Sequence, residues 1–163
     1  MGKYSAARDL DLSVKTRWYV VANRTEAVIY AEDRGQPFHF IERLLNLEGS
    51  LQEHELVSDR PGRNASPAAA WTYRHGYSSK VDKHEHVAHT FAKRIAERLR
   101  QGRNESRFRD LVLVAEPHFM GVLRGKLDSA TQSKVSYEVK REYQNLPDAL
   151  LGQTLHDQLN QQG

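Results

Sequence analysis

The stretch LVSDRPGRNASPAAAWTYRHGYSSKVDKHEHVAHTFAKRIAERL, Leu56 to Leu99, divides into two unlike halves. Its first half is rich in Gly, Pro, Ser and Arg and shows no apolar period, so it reads as a long loop; loops of this length are usually functional or disordered. Its second half is an amphipathic helix. Ser79, three residues before Asp82, makes a capping-box-like start, and the helix is expected to run to about Arg100. At 100° per residue His84, Val87, Ala88, Phe91, Ile95 and Leu99 fall on one face, the core side. On that face His84 is expected to be a hydrogen-bonded histidine at the core boundary.

Upstream, Arg17–Ala22 and Ala27–Ala31 are β-branched and aromatic and are separated by Asn23-Arg-Thr-Glu26, the pattern of a hairpin. A second turn, Asp33–Pro37, leads into a third strand at Phe38–Arg43. Downstream, Asp110–Ala115 is a continuous apolar run, as in a strand covered on both faces, and Pro117 suits the first turn of a helix from His118 to about Leu127. Lys134–Arg141 alternates as a strand, and Pro147 opens a last helix through Leu159. The expected order is βββαβαβα: an antiparallel meander extended by parallel strands into a mixed five-stranded sheet, an α/β single domain of RNase H-like arrangement.

The chain has 163 residues, which suits one domain (16–160) preceded by an extension (1–15) expected to be mobile. No internal repeat of solenoid length or low-complexity tract interrupts it. Hydrophobic residues make up 39% and charged residues 28%, the balance of a globular chain. There is no cysteine, which removes disulfides, thiolate chemistry and Cys-type zinc sites. The N-terminus lacks an apolar leader and the apolar runs are too short to span a bilayer, so a cytoplasmic protein without membrane attachment is expected and a secreted adhesin is disfavoured. The formal charge of +3 hides clustering, with arginines crowded at Arg60–Arg74 and from Arg98 through Arg109.

The run Ser58-Asp-Arg-Pro-Gly-Arg63, then Arg74-His75, then a helix carrying Phe91-Ala92 and Ile95-Ala96, resembles the bacterial family of proteins required for attachment to host cells. That family is similar to the central domain of archaeo-eukaryotic peptide release factors. Leu111-Val-Leu-Val-Ala-Glu-Pro-His-Phe-Met-Gly-Val-Leu-Arg124 also looks like the family's strand-to-helix segment, and the resemblance runs from about Arg17 to Leu159. Two departures stand out: Asn23 occupies a place where relatives often have Asp, and Arg141-Glu-Tyr-Gln144 replaces a more usual Lys-Asp-Leu-Thr. No Gly-Gly-Gln occurs, so the resemblance does not imply peptidyl-tRNA hydrolysis. Gly121, inside a helix, points to close approach of another backbone.

The chemistry of the loop points to binding. Pro61-Gly62 sets a turn that can present Arg60 and Arg63, while Trp71, Tyr73 and Tyr77 offer stacking planes beside Arg74 and His75; arginine forks with aromatic planes suit unpaired RNA. Asp59 and Pro61 are read as structuring the loop; the alternative for the cluster is structural throughout, with Asp59 pairing with an arginine to rigidify the loop and Trp71 anchoring it to the domain. The expected partners are therefore the ribosome, rRNA or tRNA, with another protein as the alternative.

Catalysis has less to stand on. Two-metal hydrolysis needs converging carboxylates; Glu116 with Asp82 or Glu85 offers two, but the first strand offers none because Asn23 is neutral. Asp82, His86 and His89 share a polar helix face and could hold a metal, although a solvated face is the ordinary explanation and zincin spacing fails at Ala88. Nucleotide fingerprints and nucleophile elbows are missing. The expectation is a non-catalytic module without a cofactor.

Overall fold

The computed structural model describes residues 16–33, 38–58, 67–143 and 146–162, with side chains omitted for 55–58, 67–79 and 162. Residues 1–15 and the loop positions Asp59, Arg60, Pro61, Gly62 and Arg63 lie outside the described residues.

Five strands form one mixed sheet. β1 (Arg17–Ala22) pairs antiparallel with β2 (Glu26–Glu32), which pairs antiparallel with β3 (His39–Leu45). β4 (Asp110–Val114) lies parallel to β1 on its other side, and β5 (Val135–Val139) lies parallel to β4, giving the order β3-β2-β1-β4-β5. The expected meander and parallel extension are both present. The helices are α1 (Leu47–Ser58), α2 (Pro67–Asn104), α3 (Pro117–Lys126), the short α4 (Ser129–Gln132) and α5 (Asp148–Gln162).

Alternation along β1 sends Trp18, Val20 and Ala22 into one core and Tyr19 into another. In the first core these residues meet Phe91, Ile95 and Leu99 of α2 and Phe119, Met120 and Leu123 of α3. The second core sits under α5, whose Leu151, Leu155 and Leu159 pack on Tyr30, Val112, Val114 and Val139. The sheet is therefore covered on both faces, as its apolar central strands require. Gly102 is where α2 meets the sheet: a Cβ there would lie 2.7 Å from the Trp18 ring, so only glycine admits the indole.

β3 is an edge strand with a bulge. Tyr30 pairs with Phe40 but Ile29 pairs with Glu42, so the strand reverses its faces between them. Phe40 thus packs edge-on to Tyr30, at 6.3 Å between centroids, while Glu42 turns to the opposite layer and bonds Arg98 of α2. The bulge, with Arg94 donating to the Leu45 carbonyl at 3.1 Å, blunts the edge against strand addition.

Several expectations need correction. α2 begins at Pro67, twelve residues before the expected start, so Ser79 is inside the helix and not its cap. Proline fits the first helical position and Ala68–Ala70 are the best helix formers, which outweighs Gly76. α1 and α4 were not foreseen, making the order βββααβααβα. Gly121 does not mark a backbone contact among the described residues: a Cβ there meets none of their atoms within 4 Å. His84 lies at the core boundary as expected, but its buried Nδ1 has no hydrogen-bond partner among the described residues.

Candidate functional site

The carboxyl ends of the parallel neighbours β1 and β4 are where the strand order reverses, the usual place for a site in an open α/β sheet. A polar cluster stands there. After β1, Asn23 Oδ1 accepts from the Thr25 amide and hydroxyl, both at 2.8 Å, and from the Glu26 amide at 2.9 Å. All of these bonds close the hairpin turn, the ordinary work of an Asx side chain. The turn projects Arg24 toward α2, where Nη2 lies 3.4 Å from Glu85 Oε1.

After β4, Glu116 caps α3. Its Oε1 accepts from the Phe119 amide at 2.6 Å and its Oε2 from the His118 amide at 2.9 Å, with Pro117 at the first helical position. This satisfies two of the helix's unpaired donors and places negative charge at its positive end. The cap in turn positions His118, whose Nε2 lies 2.8 Å from Glu85 Oε1. His89, one turn along α2 from Glu85, brings its Nε2 to 3.7 Å from Oε2. Glu85 thus ties α2 to α3 and to the β1–β2 turn. Partial burial pushes its carboxyl pKa up, but His118, Arg24 and His89 outweigh that and hold it below the usual carboxylate value.

The cluster is a carboxylate held by one arginine and two imidazoles. Convergent carboxylates are not its character: Glu116 is committed to backbone donors, Glu85 to Arg24 and His118, and Asn23 to its own turn. Asp82 and His86 are exposed on α2, and no group of three His, Asp or Glu side chains among the described residues is placed to hold a metal ion.

The sequence-predicted binding residues divide between two places. Trp71, Tyr73, Arg74 and His75 belong to the early turns of α2 and not to a loop, while Arg60, Gly62 and Arg63 are outside the described residues. The expected basic face from Arg98 to Arg109 is largely compensated: Arg98 pairs with Glu42, Arg100 with Glu97 and Arg103 with Asp128. Sequence reasoning missed the Arg24–Glu85–His118 contact. The signal available was positional, since residues just past the carboxyl ends of adjacent parallel strands converge.

No described helix is long and apolar enough to cross a membrane. Among solved structures the chain is similar to the crystal structure of the archaeal translation termination factor aRF1, at 12% identity and a TM-score of 0.44, over 90% of this chain and 39% of that one. A second structure, described as an archaeal protein, matches at 10% identity and a TM-score of 0.43, over 90% and 38% of the respective chains. The chain therefore spans about two fifths of the length of these structures, and likenesses so distant carry no argument about activity. No curated protein matches. A family model described as "Protein required for attachment to host cells" matches residues 18–155, most of the domain, and the chain accordingly belongs to that family.

Proposed function

We propose that this host-attachment family protein is a non-catalytic module acting inside the cell, which binds single-stranded RNA or the ribosome through the basic, aromatic segment from Arg60 to Tyr77. The observation that carries this reading is the distribution of charge. Seven arginines of the described framework, Arg17, Arg24, Arg43, Arg98, Arg100, Arg103 and Arg124, are ion-paired with acids. Between residues 59 and 77, by contrast, Arg60, Arg63 and Arg74 stand against the single acid Asp59, beside Trp71, Tyr73 and Tyr77. Arginine in excess of local acid, interleaved with aromatic rings, supplies phosphate contacts and stacking together. The helical start of α2 adds order, because Trp71, Arg74 and Tyr77 follow one another at three-residue intervals along it.

Metal-dependent hydrolysis fits less well, since Glu116 and Glu85 already serve as cap and tie. In this reading any effect on attachment is indirect. The test is sedimentation of the tagged protein with ribosomes from cell extract, with and without nuclease. Co-sedimentation lost on nuclease treatment, and lost in Arg60→Ala/Arg63→Ala, supports the proposal; a protein that remains at the top of the gradient in every case refutes it.

A further inference from the structure

α1 presents the wrong face to solvent for a helix oriented by apolar burial. Gly49 and Gln52 face inward: a Cβ on Gly49 would lie 2.4 Å from the Arg24 carbonyl oxygen, and Gln52 is only 8% exposed. Both polar atoms of the Gln52 amide, Oε1 and Nε2, are buried without a hydrogen-bond partner among the described residues. About 180° around the helix from Gly49, Leu47 is 71% and Leu51 65% exposed, one turn apart. Leu45, the last residue of β3, adds a third side chain at 52% exposure. A helix free to choose would bury the leucines and expose the amide.

Polar contacts of the first turn hold it this way. Asn46 donates its amide to the Thr25 carbonyl at 2.8 Å and its side-chain Nδ2 to the Arg24 carbonyl at 2.8 Å, and its own carbonyl accepts from the Ser50 amide at 3.1 Å. The orientation is built in, and it leaves a leucine stripe uncovered beside an edge strand.

Charge selects the occupant. α1 carries Glu48, Glu53 and Glu55 and no lysine or arginine, and Glu48 and Glu53 are exposed. We propose that the Leu45–Leu47–Leu51 surface docks a basic amphipathic helix of a partner protein, with apolar side chains one turn apart entering between the leucines and lysines or arginines meeting the glutamates. A symmetric second copy would bring the α1 acids against each other, and a nucleic acid or anionic lipid would bring phosphates against them. Strand addition is opposed by the β3 bulge and Arg94. This surface uses none of the residues Arg60 to Tyr77, so the inference stands independently of the RNA reading.

The test uses fluorescence anisotropy with a labelled Leu/Lys amphipathic peptide of about four helical turns and a Leu/Glu peptide of the same pattern. The wild-type protein binds the Leu/Lys peptide and not the Leu/Glu peptide, and Leu47→Ser/Leu51→Ser weakens binding by about tenfold or more with an unchanged circular dichroism spectrum. Glu48→Lys/Glu53→Lys, a second surface variant, weakens Leu/Lys binding and gains affinity for Leu/Glu. Absence of Leu/Lys binding, or equal affinity for wild type and both variants, overturns the proposal. A wild-type dimer in sedimentation that the leucine variant dissolves overturns it in favour of a second copy.

Discussion

Replacing Glu116 by alanine separates a capping role from a catalytic one. Its carboxylate receives two backbone donors at the start of α3, the His118 amide at 2.9 Å and the Phe119 amide at 2.6 Å. Losing an N-cap side chain costs about 0.5–2 kcal/mol, and losing a negative charge from a helix N-terminus about 0.3–1 kcal/mol. The two overlap, so about 1–2 kcal/mol is expected. The loss is not absorbed by local fraying, because Phe119 and Met120 are fully buried in the first turn of the helix. For a chain of this size 1 kcal/mol moves Tm by about 2–4 °C, so Glu116→Ala should melt roughly 2–8 °C below wild type. The assay is thermal and urea unfolding followed by circular dichroism, with Glu116→Asp as the control that keeps a good cap. Glu116→Asp is expected to recover most of the loss. If Glu116→Ala costs under about 0.5 kcal/mol, the span of an ordinary surface substitution, or if Asp is no better than Ala, the capping argument fails.

Phe91 is fully buried, 6.4 Å from Phe119 between ring centroids, so Phe91→Ala should cost about 3–5 kcal/mol in urea unfolding, against under about 0.5 for the exposed Lys93→Ala. Equal effects would contradict the packing of α2. Burial first, and then Arg24, hold the His84 imidazole pKa below its ordinary value, while Glu53 and Glu85 pull the other way. The unfolded chain therefore binds more protons just below about pH 6.5, and stability is full above that value and falls as pH drops through the window toward the folded pKa. His84→Gln should flatten that slope between about pH 7 and 5, as read from urea midpoints; an unchanged slope would assign it to other groups.

The parts of the fold legible in the sequence were those in which burial alone selects the residue. β1, β2 and β4 are apolar because they are central, and the Val87-to-Leu99 half of α2 is periodic because one stripe enters the core. Helices set by other forces were hidden. α1 buries a glycine and a glutamine that has no partner among the described residues, and exposes Leu47 and Leu51, so its pattern carries no amphipathic signal of the usual sense. The first turns of α2 looked like a loop because Gly76 and the serines obscured the start at Pro67. Gly121 reflects no close approach among the described residues, since a Cβ there would face open space. At the site, Glu116 and Glu85 were recognised as candidate acids, but their partners were not. Capping by Glu116 and the 2.8 Å contact of Glu85 with His118 depend on how two helices meet, which spacing within one element does not reveal.

The most direct measurement for the central claim is the salt dependence of single-stranded RNA binding by the wild-type protein and by Arg60→Ala/Arg63→Ala, read by anisotropy with a labelled oligoribonucleotide. Each single-strand phosphate contact contributes about −0.7 to the slope of log K against log salt, so three arginines give a slope near −2 and the double variant loses about 1.4 of it. Binding should weaken while Tm stays within about 1 °C of wild type, the outcome if those arginines serve binding and not packing. Wild-type protein that binds no RNA at low salt, or a double variant that keeps the full slope while losing several degrees of Tm, contradicts the account and assigns those arginines to structure.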